Sequence, residues 1–296
     1  MMHDAMESIH PITVFVFFAF ALIMPMLFLH PVFICISFVA GTIWSFYMNG
    51  KKMVAFLLKT VLPLTLIVSV LNPIFNHQGI TILFYLRDNP ITIESICYGI
   101  TSALMFGTVL IWFSCFNRIV TSDKIIYLFG NLLPSISILI TMVLRFVPLY
   151  KQQIKKCSIA LRAQGFDYSE GNLLERAKHG LSIFSALITW GLESSVVTAD
   201  SMRSRGHGLF RRTTYSRYNF DKRDILISAI LTIGIGFVGI AASFKAVYFS
   251  FYPFIKQNMW GALAIACVIV YSIILLLPII LNLGELAAWH RLKLKN

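Results

Sequence analysis

The sequence predicts an all-α polytopic membrane protein, with about six transmembrane helices and two further helices on the cytoplasmic side. Of its 296 residues, 57% are hydrophobic and only 13% are charged, whereas about a quarter of the residues in an average soluble domain are charged. Its apolar runs reach the roughly 20 residues that a helix needs to cross a bilayer. One basic region separates the fourth run from the fifth, which divides the chain into 1–116, 117–223 and 224–296.

Six apolar runs predict the transmembrane helices, four in the first part of the chain and two in the last. They lie at about 11–29, 31–48, 53–71, 92–116, 224–243 and 259–283. The polar, turn-rich segment 72–91 connects the third run to the fourth. Its apolar centre, 79–86, predicts either a short strand or a segment that lies in the membrane interface.

The distribution of Lys and Arg predicts how these helices cross the cell membrane. Lys51 and Lys52 follow the second run, the basic region follows the fourth, and a basic tail follows the sixth. Segments rich in Lys and Arg remain on the cytoplasmic side of a bilayer. We therefore expect a multi-pass protein whose N-terminus, C-terminus and residues 117–223 are all cytoplasmic.

The basic region, 117–223, is not simply a polar loop. It contains 16 of the 25 Lys and Arg residues, but together with Asp224 it also contains 8 of the 13 Asp and Glu residues. Two apolar blocks, 125–149 and 180–199, lie within it, and we expect them to lie along or under the membrane rather than to cross it. Because acids offset the basic charge, we expect no nucleic acid partner. A surface that faces lipid is the alternative explanation of this region.

Two helices are predicted within the basic region. In the first, from about Tyr150 to Gln164, three apolar residues recur on one helical face: Ile154, Cys157 and Leu161. The second is expected from Leu181 to Arg205 and is lined by small residues, which allow two helix backbones to approach closely. We therefore expect the two helices to cross each other at short distance.

Both helices are predicted to end in a similar basic tetrapeptide. The two strings are Arg162-Ala163-Gln164-Gly165 and Arg203-Ser204-Arg205-Gly206. Glycine is the residue that most often ends a helix in the left-handed conformation, and arginine complements the partial negative charge of a helix C-terminus. Those preferences explain one such end without any function. Its repetition in a membrane protein favours arginines that bind carboxylates on a partner.

Several segments of the chain, and these two ends above all, resemble the transmembrane T component of energy-coupling-factor transporters, a class of ABC importers. The resemblance covers most of the chain. Its motifs are Asn72-Pro73-Ile74-Phe75-Asn76-His77-Gln78-Gly79, Thr121-Ser122-Asp123-Lys124, Leu144-Arg145-Phe146-Val147-Pro148, Ala160 to Leu173, and Asp200-Ser201-Met202-Arg203-Ser204-Arg205-Gly206. The family carries an Ala-Arg-Gly motif at the end of each of two crossed cytoplasmic coupling helices.

By this resemblance, the second motif falls on Ser204-Arg205-Gly206, with Ser in place of Ala. The first falls on Ala163-Gln164-Gly165, where Gln replaces the arginine of the motif, and we expect Arg162 to take over part of its role. Gln can still donate a hydrogen bond to a carboxylate, but it supplies no positive charge. The resemblance implies ATPase-coupling roles for Arg162, Ala163, Gln164, Gly165, Arg203, Ser204, Arg205 and Gly206.

The resemblance also implies partners and a function. Two ABC-type ATP-binding subunits would each receive one helix end, and a small substrate-binding membrane subunit, the S component, would bind a vitamin or a metal ion. The chain itself would be the energy-coupling scaffold of the importer and not an enzyme. It has no Gly-x-x-x-x-Gly-Lys-[Ser/Thr] loop for a nucleotide. Its five cysteines are scattered, and we expect no cofactor and no metal site.

The alternative function is that of a multispan membrane enzyme acting on lipid or isoprenoid substrates. Its active site would then be built from the carboxylates of the basic region: Asp167, Glu170, Glu193 and Asp200. We expect instead that Asp200 pairs with Arg203, one helical turn away. Glu193 is expected to pair with a basic residue of a neighbouring helix, such as Arg145.

Overall fold

The computed structural model confirms an all-α membrane protein and describes residues 5–86, 89–132, 134–165, 172–207, 218–244, 247–257 and 261–293. Its helices are α1 (Pro11–Leu27), α2 (Pro31–Asn49), α3 (Lys51–Phe56), α4 (Leu62–Phe75), α5 (Ile93–Ile119), α6 (Ser122–Leu132), α7 (Pro134–Ala163), α8 (Leu173–Ser204), α9 (Lys222–Ser243) and α10 (Ala262–Lys293). The strands are β1 (Ile82–Leu86), β2 (Asn89–Thr92), β3 (Phe249–Ser250) and β4 (Lys256–Gln257). Each strand belongs to a two-stranded antiparallel hairpin, β1 with β2 and β3 with β4.

Six described helical segments are long and apolar enough to cross a membrane, the number that the sequence predicts. They are Pro31–Asn49, Lys51–Phe75, Ile93–Ile119, Leu173–Ser204, Lys222–Ser243 and Ala262–Ala287. Five of them match predicted runs. The first predicted run forms α1, which has only 17 residues, because the chain must leave the helix before His30-Pro31 begins α2. The sixth candidate is α8, which is long and apolar enough to cross a membrane, whereas the sequence predicts that its apolar block lies along or under the membrane.

The chain divides into two compact units. The first comprises Met1–Ile125 and Tyr218–Asn296, and the second comprises Ile126–Arg217. The first unit thus joins the N-terminal and C-terminal apolar runs. The second unit contains α7 and α8.

An aromatic cluster forms the centre of the first unit. The indole of Trp112 on α5 is fully buried, and its ring centroid lies 5.7 Å from those of Phe17 on α1 and Trp44 on α2. Its Nε1 donates a hydrogen bond of 2.9 Å to Ser37 Oγ. Gly41 on α2 makes room for this ring, because a Cβ there would lie only 3.1 Å from Nε1. Trp112 therefore fixes α1, α2 and α5 against one another.

Polar contacts close the same unit at its chain termini. The Ala5 amide donates to Asn282 Oδ1 of α10 at 2.8 Å. Arg223, in the first turn of α9, forms a salt bridge of 2.9 Å with Glu285 of α10 and also donates to the Ala5 carbonyl. These contacts attach the N-terminal segment to the last two helices.

The connection between α4 and α5 forms a hairpin that packs on the start of α5. The strand that the sequence allows within 79–86 is confirmed as β1. Glu94, in the first turn of α5, is 3% exposed and accepts hydrogen bonds from the backbone amide and the hydroxyl of Thr81. Gly79 has φ of +139°, and a Cβ there would lie 2.7 Å from Glu94 Oε2. Only glycine fits both that backbone conformation and that approach.

Candidate coupling site

The first predicted coupling helix is the C-terminal part of a longer helix. The sequence predicts its start at about Tyr150, whereas α7 begins at Pro134 and continues through Pro148 to Ala163. A proline inside a helix removes one backbone hydrogen bond but does not always end the helix. Of the predicted apolar face, Cys157 and Leu161 are half-buried, whereas Ile154 is 44% exposed.

The second coupling helix also begins earlier in the structure than the sequence predicts. α8 begins at Leu173 rather than Leu181 and ends at Ser204. Asn172 and Glu175 form a capping box. The Asn172 side chain accepts a hydrogen bond from the Glu175 backbone amide, and the Glu175 carboxylate accepts one from the Asn172 backbone amide. This Asn-x-x-Glu pattern is visible in the sequence, and it is the signal that the prediction missed.

Both helices end with a glycine in the left-handed conformation, as the sequence predicts. Gly165 after α7 has φ of +85°, and Gly206 after α8 has φ of +80°. The Gly165 amide donates to the Arg162 carbonyl and the Gly206 amide donates to the Arg203 carbonyl, each at 3.0 Å. The His207 amide also donates to the Met202 carbonyl at 3.0 Å, which completes a Schellman motif at the end of α8.

The residues of the two helix ends are largely exposed. Arg162, Ala163, Gln164 and Gly165 are all exposed, and so are Arg203, Ser204 and Arg205, whereas Gly206 is half-buried. Within the described part of the chain, Arg203 and Arg205 make no salt bridge. Each helix therefore presents a short polar tip, and the tip of α8 carries two cations.

The predicted close approach of the two helices is confirmed at one position. The rings of Tyr150 on α7 and Trp190 on α8 meet edge to face, with centroids 5.3 Å apart. A Cβ at Gly191 would clash with the Tyr150 hydroxyl. The more buried residues of this part of α8 are Leu187, Trp190, Gly191, Ser194 and Thr198. Their spacing of three or four residues, with Trp190 and Gly191 adjacent, places them on one helical face.

Replacing Gly191 with alanine is expected to destabilise this helix pair by about 1–3 kcal/mol relative to an unhindered Gly-to-Ala change, because the new methyl group displaces Tyr150. Gly180 is the matched control on the same helix, since no atom lies within 4 Å of a Cβ there. Unfolding of the two variants in mixed micelles measures the difference. In a Tyr150→Phe background, which lacks the clashing hydroxyl, the difference should shrink. An unchanged difference would contradict the contact.

Of the four carboxylates of the alternative enzyme, the structure describes two. Glu193 and Asp200 are both exposed, and Asp167 and Glu170 lie outside the described residues. The expected ion pairs of Asp200 with Arg203 and of Glu193 with Arg145 are absent, since none of these four residues has a salt bridge to a described residue. An exposed ion pair contributes at most about 1 kcal/mol, which is too little to hold these long side chains together.

The described residues also contain no group of three or more His, Cys, Asp and Glu side chains that could hold a metal ion. The five cysteines are all unpaired thiols. They are distributed over α2, α5, α7 and α10.

Comparison with known proteins finds EcfT transmembrane proteins among the relatives of this chain. No family model matches the chain. It is 28% identical over 203 residues to the energy-coupling factor transporter transmembrane protein EcfT of Streptococcus equi subsp. equi, an alignment that covers 64% of this chain and 72% of that protein. It is 28% identical over 227 residues to EcfT 1 of Listeria monocytogenes serotype 1/2a, covering 68% of this chain and 84% of that protein.

A third relative matches a shorter stretch. The EcfT protein of Lactobacillus helveticus is 33% identical over 102 residues, which is 34% of this chain and 37% of that protein. All three relatives are named as transporter components and not as enzymes. The resemblance predicted from the basic helix ends is thereby confirmed, and the chain is a relative of the EcfT transmembrane components of energy-coupling factor transporters.

Proposed function

We propose that the chain is the energy-coupling scaffold of an importer, and that it links two ATP-binding subunits to a small substrate-binding membrane subunit. The substrate is a micronutrient, a vitamin or a metal ion, bound by that separate subunit. The observation that carries this proposal is the pair of helix tips. α7 and α8 end in the same left-handed glycine cap, and their terminal residues are exposed.

Each cap fixes the direction in which its tip is presented. A left-handed glycine with a hydrogen bond back to the preceding turn stops the helix abruptly, so the last side chains project beyond it. Arg203 and Arg205 on α8 are suited to bind carboxylates, because each guanidinium offers several donors in a fixed plane. On α7, Arg162 and Gln164 also offer hydrogen-bond donors to a carboxylate, but with one positive charge instead of two.

The contact between Tyr150 and Gly191 is the second element of the mechanism. When the ATP-binding subunits close, the helix ends bound to them move. Because α7 and α8 are continuous helices of 30 and 32 residues, they transmit this movement as rigid levers. Their contact makes the movement of one helix depend on the other, and the membrane helices then reorient the substrate-binding subunit.

This function requires residues 117–223 and both chain termini to lie in the cytoplasm of a cell-membrane protein. Cysteine placed at Ser204, which is exposed, tests the location of the α8 tip. In intact cells, Ser204→Cys should resist a membrane-impermeant maleimide, and it should react once the membrane is opened. The parent chain, which carries the five native cysteines, supplies the background. Labelling of Ser204→Cys in intact cells would overturn the proposed orientation.

Purification of the chain from its own membranes tests the proposed partners. We expect ATP-binding subunits with a phosphate-binding loop and a small membrane subunit to accompany it, and ATP hydrolysis to require those subunits. The isolated chain should convert no lipid. Turnover of a lipid by the isolated chain, together with its loss in Glu193→Gln or Asp200→Asn, would support the membrane enzyme instead.

Replacing Gln164 with arginine is expected to leave ATPase recovery unchanged or to strengthen it by a few fold. The new cation would complete the basic tip of α7 and complement the helix dipole, an effect of about 0.3–1 kcal/mol. Gln152→Arg adds the same charge at an exposed position of α7 and should have no effect. Quantitative co-purification measures both variants. A large loss with Gln164→Arg alone would mean that the α7 end binds in another way.

A further inference from the structure

Lys59 is a cation within a helical segment that is long and apolar enough to cross the membrane. The segment runs from Lys51 to Phe75, and Lys59 lies about 12 Å along the helix from its first residue. Half of the hydrocarbon core of a bilayer is about 15 Å thick. Lys59 is thus about two turns inside the segment, where charged side chains are rare because their transfer out of water is costly.

The backbone around Lys59 is irregular. Residues Leu57–Val61 form a π-helical turn, in which the Leu62 amide donates to the Leu57 carbonyl. Pro63 has no amide hydrogen, so the Lys59 carbonyl cannot accept the usual α-helical hydrogen bond from it. Single π-helical turns within α-helices occur frequently at functional sites. An irregular turn and an unusual charge therefore coincide at one residue.

One face of this segment packs on α5. A Cβ at Gly107 of α5 would lie 3.1 Å from Val61 Cγ1 and 3.0 Å from Thr65 Cγ2. A Cβ at Gly99 would lie 3.0 Å from the Ser69 carbonyl oxygen. Val61, Thr65 and Ser69 are spaced four residues apart and so lie on one helical face. This face holds the segment against the other helices of the first unit.

The face that carries Lys59 is exposed. Leu62, Leu66 and Val70 follow Lys59 at intervals of three or four residues, and all four residues are exposed. Lys59 makes no hydrogen bond or ion pair with any residue that the structure describes. Charged side chains within membrane-spanning helices almost always pair with another polar group. A group outside the described chain is therefore expected to neutralise Lys59.

A carboxylate on a neighbouring helix fits this face better than a lipid headgroup does. Lys51 and Lys52 are exposed at the start of the segment, where basic residues bind anionic headgroups. From that level the headgroups are about 12 Å from Lys59 along the helix, which is farther than a lysine side chain reaches. The apolar residues that follow Lys59 on the same face provide a surface on which another helix can pack.

We propose that this exposed face binds a transmembrane helix of a second membrane protein, and that Lys59 forms an ion pair with an Asp or Glu of that helix. The attraction between the two charges is strong at this depth because the dielectric constant is low. The inference goes beyond the proposed function, since it concerns the membrane part of the chain and not its helix ends. Recovery of ATP-binding subunits tests the helix ends, whereas recovery of a membrane protein tests Lys59, so either proposal can fail alone.

Purification of the chain from its own membranes in mild detergent, with quantitative mass spectrometry, tests the site. Lys59→Leu should lower the recovery of one membrane protein at least tenfold, because its carboxylate loses its partner. Lys59→Arg keeps the charge and should retain most of the recovery. Lys52→Leu removes an exposed cation from the first turn of the same segment and should retain all of it. No loss with Lys59→Leu, or an equal loss with Lys52→Leu, would overturn the site.

The stability of the isolated chain separates partner binding from a role in folding. Lys59→Leu replaces an exposed cation with an apolar side chain, so the unfolding temperature in maltoside micelles should stay the same or rise. A fall in the unfolding temperature of Lys59→Leu that is absent in Lys52→Leu would mean that Lys59 supports the fold of this chain, and it would contradict the proposal.

Charge exchange tests the ion pair itself. Lys59→Glu should abolish recovery of the same membrane protein, and lysine in place of its intramembrane Asp or Glu should restore recovery to within about threefold of the parent level. A protein without such a carboxylate, or no rescue by any exchange, would refute the ion pair. Native mass spectrometry supplies the last comparison: phosphatidylglycerol that is retained by the parent chain and lost in Lys59→Leu would assign Lys59 to a lipid and overturn the proposal.

Discussion

Alanine at both Arg203 and Arg205 is expected to abolish the recovery of ATP-binding subunits with the chain. Both side chains are exposed at the end of α8 and make no salt bridge within the described residues, so a partner can take up all of their donors. Removing one charged partner from a buried interface costs about 2–5 kcal/mol, and every 1.4 kcal/mol is a tenfold change in affinity. Tandem affinity purification followed by quantitative mass spectrometry measures the loss.

Graded variants separate charge from geometry at this tip. Arg205→Ala alone should weaken binding less than the double variant does, because Arg203 remains. Arg205→Lys keeps the charge but loses the planar fork, so it should bind with intermediate strength. Lys51→Ala with Lys52→Ala removes two exposed cations elsewhere and should leave recovery unchanged. Full recovery of ATP-binding subunits in the Arg203 and Arg205 double variant would count directly against the proposed function.

Replacing Trp112 with alanine should cause the largest loss of stability, about 2–4 kcal/mol. The indole is fully buried between Phe17 and Trp44 and donates a hydrogen bond to Ser37. In a micelle or a bilayer, detergent and lipid tails take the place of water around the unfolded helices, so the transfer part of the cost is reduced. The cavity and the lost van der Waals contacts remain.

Unfolding by dodecyl sulfate in mixed micelles, followed by circular dichroism, measures this loss. Trp112→Phe keeps an aromatic ring and should cost less than Trp112→Ala. Phe113→Ala removes an aromatic side chain from the same helix, but Phe113 is 49% exposed, so the change should be below about 1 kcal/mol. Equal destabilisation by Phe113→Ala and Trp112→Ala would mean that the aromatic cluster does not organise this unit.

Local signals allowed the helix ends to be predicted from the sequence. Gly165 and Gly206 each follow a helical pattern with arginine in its last turn, and both adopt the left-handed conformation that such a position favours. The small residues of α8 indicated a close helix contact, which the structure confirms at Gly191. Both features depend on residues that are adjacent in sequence or lie on one helical face, so the amino-acid sequence is sufficient to predict them.

Features that depend on tertiary packing could not be predicted in the same way. The sequence predicts that the first coupling helix starts at about Tyr150, after Pro148, although α7 continues through that proline. Sequence alone does not reveal which proline kinks are compensated by neighbouring helices. The partner of Gly191 is Tyr150, 41 positions away, and nothing local specifies that pairing. Which residues of α7 and α8 face each other depends on how the two helices pair, and the sequence does not specify that pairing.

The position of the Tyr150–Gly191 contact along the two helices has a geometric consequence. Tyr150 lies 13 residues before Ala163, where α7 ends, and Gly191 lies 13 residues before Ser204, where α8 ends. At 1.5 Å per residue, each arm beyond the contact is about 20 Å long. If the two helices rotate about this contact, their equal arms displace both tips by the same distance. Under the proposed function, two ATP-binding subunits that close symmetrically would then move α7 and α8 by equal amounts.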